Sequence, residues 1–175
     1  MLKAGMYMNK WLLKILFALM MTFCISAYAL ESDSKQPITI ESDSGFYDDK
    51  KGLSTYAGKV IIIQGTMRLD ADKVVVYLEN REIQKMVATG APVKFQQTPE
   101  EGKEDVHGNS LIAEYYPETA VLVMIQKAVV WQGGNSTASE RIEYDRVSEV
   151  VKAGQEGSSS KRVHVILQPK SESKK

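Results

Sequence analysis

Residues 57–79, AGKVIIIQGTMRLDADKVVVYLE, hold two β-rich runs on either side of Gln64-Gly65. Val and Ile dominate both runs, and a Gln-Gly pair between such runs is turn chemistry. Alone, the stretch reads as one hairpin. Gly58-Lys59-Val60-Ile61-Ile62-Ile63, however, is echoed by Gly90-Ala91-Pro92-Val93-Lys94-Phe95, and more faintly by Gln126-Lys127-Ala128-Val129-Val130-Trp131. Asp72-Lys73-Val74-Val75-Val76 resembles Glu140-Arg141-Ile142-Glu143-Tyr144, and segments from Asp43 and Leu111 fit the same frame. These four segments start 29, 39 and 29 positions apart, the longer gap holding the polar insertion Thr98–Asp105. A period near thirty residues marks units that cannot bury an apolar face alone and must stack. No apolar recurrence at i, i+3, i+4 persists after residue 30, so the body is expected to be all-β, a solenoid-like stack of antiparallel strands.

Alternation along each strand sends neighbouring side chains to opposite faces. The expected inner face carries Tyr47, then Ile61, Ile63, Val74 and Val76, then Val93, Phe95, Ala113 and Tyr115. Val129, Trp131, Ile142 and Tyr144 continue it, with Lys59, Lys94, Glu114 and Glu143 between them. A packed core and a lipid-lined groove use the same residue types, so the pattern leaves both open.

The first residues read as an export signal. Lys3, Lys10 and Lys14 precede an apolar run from Ile15 to Ile25, and Ala27-Tyr28-Ala29 offers small residues for cleavage after Ala29. The run is shorter than a bilayer span requires, although a retained anchor is the alternative. Phe23 before Cys24 is too bulky for a lipid-acceptor site. Cleavage removes the single cysteine and three lysines, leaving three more acidic than basic residues and no disulfide framework. That balance disfavours nucleic acid as a partner. Residues 30–167 then form one domain, and residues 168–175 (QPKSESKK) form a polar, aperiodic tail.

Catalytic chemistry is thin. Two histidines, His107 and His164, stand far apart, too few for a zinc or copper site. Residues 154–162 (GQEGSSSKR) have neither the spacing of a phosphate loop nor a following helix. The close carboxylate pairs Asp48-Asp49, Asp70/Asp72 and Glu100-Glu101 read as solvated charges. A β-solenoid enzyme acting on polysaccharide would need such groups facing each other across a cleft. No metal or cofactor is expected.

Gln36-Pro37-Ile38-Thr39-Ile40-Glu41-Ser42-Asp43, Tyr56-Ala57-Gly58-Lys59-Val60 with Gln64-Gly65-Thr66, and Ala71-Asp72-Lys73-Val74-Val75-Val76 resemble the LptA (OstA-like) family of periplasmic lipopolysaccharide transport proteins. The resemblance runs from Gln36 to Leu167 and weakens after Pro99. It implies an open β-jellyroll with an apolar interior groove, acting as a carrier and not as an enzyme. Lipopolysaccharide acyl chains would lie in that interior. Copies would join end to end, linking an inner-membrane transport complex to an outer-membrane translocon. A membrane-anchored relative of the same pathway is the nearest alternative. The family's lipid-facing positions correspond to Ile38, Phe95 and Tyr115. With the face read above, the expected lipid-binding set is Ile38, Tyr47, Ile61, Ile63, Val76, Phe95, Tyr115, Trp131 and Tyr144.

Two departures from the family pattern stand out. Pro117 cannot donate to a ladder, so its strand should end early. Gln126 replaces a glycine, so the bend before Val129 should differ. A stack of strands also has two unpaired ends. The expected partner strands are Ile38, Thr39 and Ile40 through Glu41 at one end, and Val163, Val165 and Leu167 at the other.

Overall fold

The computed structural model describes residues 33–99, 102–154 and 162–169. The expected signal peptide, most of the 154–162 loop and most of the tail lie outside them. After a short 3-10 turn at Asp33–Lys35 come ten strands: β1 (Thr39–Glu41), β2 (Ser44–Asp48), β3 (Leu53–Gln64), β4 (Met67–Glu79) and β5 (Glu82–Gln97), followed by β6 (Val106–Tyr116), β7 (Val121–Gln132), β8 (Asn135–Asp145), β9 (Val150–Ala153) and β10 (His164–Ile166). All pairings are antiparallel, in the order β1-β3-β4-β5-β6-β7-β8-β10, with β2 also on β3 and β9 also on β8. The first and last strands do not meet, so the sheet stays open. Among the described residues there is no α-helix.

The long strands bend midway, and the bends line up. Register slips between Ala57 and Val60 in β3, Asp70 and Lys73 in β4, Thr89 and Val93 in β5, Asn109 and Ile112 in β6, and Ile125 and Ala128 in β7. Extra residues at such bulges kink a strand and sharpen its twist. In β3 the kink is Gly58-Lys59, both at positive φ, and a Cβ at Gly58 would stand 2.5 Å from an Asp43 carboxylate oxygen. In β7 it is Gln126-Lys127, also both at positive φ. The bend before Val129, expected to differ for want of a glycine, instead takes the same left-handed geometry as the glycine version. β6 ends at Tyr116, one residue before Pro117, as expected.

Folding along this line turns one sheet into two facing halves. One half carries β1, β10 and the strand segments next to the 65–66, 98–105 and 133–134 connections; the other carries β2, β9 and the segments next to the 80–81, 117–120 and 146–149 turns. Side chains paired directly across a ladder share a face. In the first half one inner row runs Ile40, Ile62, Leu69, Phe95, Gly108, Val130, Thr137, Val165. In the second it runs Tyr47, Ser54, Val76, Met86, Tyr115, Leu122, Tyr144, Val151. The rows meet: the rings of Phe95 and Tyr144, on strands with two others between them, lie 5.7 Å apart and edge to face. Such a pair adds about 0.5–1.5 kcal/mol beyond its buried area. The core is continuous from Val60 to Tyr144, with Ile38 and Ile40 packed against its first rungs.

Candidate functional site

The interior between the two rows is an extended apolar surface that the repeat builds. Most of the sequence-derived face lies in it: Val74, Val76, Val93, Phe95, Ala113, Tyr115, Ile142 and Tyr144 are all buried. Tyr47 belongs to the inner row by register but is 53% exposed, because no strand lies beyond β2 to cover it. Ile61, Ile63, Val129 and Trp131 require correction. Their registers place them in outward rows, Ile61 beside Asp70 and Ile63 beside Arg68, while Val60 and Ile62 fill the interior. Trp131 lies outside opposite His107, the two rings stacked 5.4 Å apart, and Ala128 and Val130 take the inner positions. Both runs are apolar on every residue, so alternation has no contrast to read. Lys59, of the same parity as Ile61 and Ile63 and exposed, was the signal that could have set the face.

Pattern reading gave no hint of a polar clasp where the halves come together. Arg146, in the turn between β8 and β9 and 5% exposed, reaches across to the opposite lip. Its Nε donates to Gln97 Oε1 at 3.0 Å, and its Nη1 to Gln64 Oε1 at 2.8 Å and the Tyr115 hydroxyl at 2.5 Å. The Tyr115 O–H in turn donates to Gln64 Oε1 at 2.5 Å, and Gln64 Nε2 donates to the carbonyls of Ser34 and Gln36. Asp33 stands 4.0 Å from the guanidinium. Burial pushes the Tyr115 hydroxyl up from its ordinary range, with Arg146 opposing it. A second bridge, Lys103 Nζ to Glu149 at 3.1 Å, joins the 98–105 connection to the 146–149 turn. The lips are therefore joined by side chains, and no backbone–backbone hydrogen bond crosses between them among the described residues. Polar side-chain contacts of this kind part more readily than a strand ladder.

Beyond the clasp, at the β9 and β10 end, the interior opens. A cavity of about 170 Å³ is lined in part by apolar residues that include Val106, Val130, Tyr144, Val151 and Leu167, and in part by polar residues between 132 and 137 together with Glu149. That compares with the roughly 150 Å³ apolar cavity known to admit a benzene-sized guest. Val151, Val165 and Leu167, all exposed in part, extend the apolar surface outward. Met67, Met86 and Met124, all fully buried, give the interior unbranched side chains that repack easily. No cluster of metal-ligating residues and no helix long and apolar enough to cross a membrane occurs among the described residues.

With this geometry in place, the family profile described as "LptA/(LptD N-terminal domain) LPS transport protein" matches residues 39–150. The chain belongs to this family. Among LptA-like relatives, the lipopolysaccharide export system protein LptH of Pseudomonas aeruginosa is 33% identical over 150 residues, 82% of this chain and 86% of LptH. LptA of Escherichia coli is 31% identical over 157 residues, 89% and 83% of the two chains. LptA of Haemophilus influenzae is 34% identical over 160 residues, 89% and 91%. The crystal structure of P. aeruginosa LptH, described as the periplasmic LptA-homologous component of a lipopolysaccharide transport device, superposes with a TM-score of 0.73 at 30% identity, covering 79% of this chain and all of LptH. The chain thus folds as an open, bent antiparallel sheet: the antiparallel stack is the one expected from the repeat, and its openness the one implied by the resemblance. Of the family-derived positions, Phe95 and Tyr115 sit inside the fold and Ile38 packs at its β1 end.

Proposed function

We propose that this chain is a periplasmic carrier that shelters the acyl chains of lipopolysaccharide between its two half-sheets and passes them from the inner to the outer membrane. The observation that supports this most is the pair of apolar rows running from β1 and β2 to β9 and β10 and ending in an open, partly apolar cavity. A buried methylene gains about 0.8 kcal/mol, so a single acyl chain in water carries a penalty on the order of 10 kcal/mol. A row of similar rungs lets a chain move along without one deep trap. In this reading Ile38, Val76, Phe95, Tyr115 and Tyr144 contact lipid, and Tyr47 meets it at the exposed end. The chain is a carrier rather than an enzyme, exported with cleavage after Ala29.

The free edges of β1 and β10 support end-to-end assembly. Thr39, with Ile38 and Ile40, would pair with an inner-membrane transport complex or a preceding copy, and Val163, Val165 and Leu167 with a following copy or an outer-membrane translocon. Saturable co-elution of purified lipopolysaccharide with the mature chain on a sizing column tests the carrier role; a folded chain that elutes free of it overturns the role. Val165→Pro removes a donor from the free strand and is expected to abolish self-association in sedimentation, with the circular dichroism of the monomer intact. Unchanged sedimentation would sink the end-to-end arrangement.

A further inference from the structure

Tyr144 has a feature that carrier shape alone does not account for. It is 1% exposed, its ring lines the cavity at the β9 and β10 end, and its hydroxyl has no hydrogen-bond partner. Buried hydroxyls are rarely left so, because an unmet polar group costs more than a made bond returns. The preceding rung solves the same problem. Tyr115 lies in the same inner row, two strands earlier, and its hydroxyl is held by Arg146 and Gln64. Arg146 and Gln97 are occupied with each other in that clasp, and Gln132, on the cavity wall, donates to the Glu104 carbonyl. Burial, followed by the neighbouring Glu149 carboxylate, pushes the Tyr144 hydroxyl up to about 12, so it stays a neutral donor.

We propose that the Tyr144 O–H is a donor reserved for the carbonyl oxygen of an ester- or amide-linked acyl chain entering this cavity. The inference rests on the lipid-carrier reading and specifies its ligand chemistry. Apolar side chains on the wall suit methylenes, and the Tyr144 hydroxyl is a buried donor among them with no partner, placed to read where the chain's carbonyl stops. The hydroxyl oxygen is enclosed, so the widening that admits a chain also uncovers its donor. The cations nearest the cavity, Lys103 and Arg146, are already engaged by Glu149 and by the clasp. A free carboxylate therefore gains no counter-charge there, and a neutral carbonyl is the preferred acceptor.

The test uses the mature chain and three probes: a lysophosphatidylcholine with one ester-linked palmitoyl chain, its ether-linked analogue without the carbonyl, and palmitate. Wild type should bind the ester roughly threefold to tenfold tighter than the ether, the range of one ordinary hydrogen bond, and tighter than palmitate. Tyr144→Phe, which keeps the ring, should bring the ester down to the ether's affinity and leave the ether unchanged, with a melting temperature equal to or above wild type. Equal binding of ester and ether by wild type, or the same ratio in Tyr144→Phe, overturns the proposal while leaving the carrier reading intact. Palmitate bound tightest by wild type overturns the choice of a neutral carbonyl. Binding of no probe overturns both. An unchanged ratio with weaker self-association in Tyr144→Phe would assign the hydroxyl to a second copy instead.

Discussion

Tyr115 and Tyr144 occupy one cross-strand row, on one face, each 1% exposed, and their hydroxyls meet opposite fates. Tyr115 sits in a saturated network whose arginine comes from the turn after β8. Tyr144 sits beside a cavity, with only the exposed Val151 of β9 paired against it and no partner for its hydroxyl among the described residues. The Tyr115 rung is completed by Arg146 from the turn after β8, and among the described residues no side chain does the same for the Tyr144 hydroxyl. The closed seam and the open mouth differ in whether a side chain from a later turn reaches the buried hydroxyl.

The contrast breaks most sharply at Arg146. Arg146→Ala strips the clasp and leaves the Gln64, Gln97 and Tyr115 oxygens buried with fewer partners, which should lower stability by about 3–5 kcal/mol. Urea unfolding measures it; a loss under about 1 kcal/mol would mean that the seam is held by apolar packing alone.

How far the sequence exposed this arrangement depends on the strand. In β8, Glu140-Arg141-Ile142-Glu143-Tyr144 alternates visibly, and the inner face read from it is correct. In β3 and β7 the runs Val60–Ile63 and Ala128–Trp131 are apolar on both sides, so parity could be set only by the kink before each. The Gln126-Lys127 kink carries no glycine to announce it. The clasp was harder to see. Asp33, Gln64, Gln97 and Arg146 are spread over more than a hundred positions, and each alone looks like an exposed polar residue at a strand end. Their burial follows from the sheet folding over, which a one-dimensional period does not contain. The alignment of Phe95 and Tyr115 with the interior was legible because both halves of the chain repeat the same strand frame.

Alkali sharpens the contrast next. The folded state holds Tyr144 at about 12, and Tyr115 is also raised, both chiefly by burial. An unfolded tyrosine ionises near 10. The stability this represents is intact below pH 10 and is lost as pH rises toward 12, because the unfolded chain releases these protons first. Denaturant midpoints between pH 9 and 12 should fall, with Tyr144 accounting for roughly 2 kcal/mol. Tyr144→Phe should flatten the slope; an unaltered slope would place that hydroxyl in water.

At neutral pH the two phenylalanine variants should part by a smaller amount. Tyr115→Phe removes a donor and an acceptor from the clasp and should cost about 1–2 kcal/mol. Tyr144→Phe should cost nothing or add up to about 1 kcal/mol, since it deletes an unmet group. Equal losses in paired urea titrations would erase the distinction between the rungs.

The measurement that bears most directly on the carrier role places a photo-crosslinking amino acid at Phe95, at Tyr115 and at Glu143 in living cells. Phe95 and Tyr115 face the interior, whereas Glu143 pairs with Arg141 on the outer face. The expected result on irradiation is lipopolysaccharide adducts at the two interior positions and none at Glu143. A folded, correctly located chain with no adduct at either interior position would contradict the role and leave the interior a core.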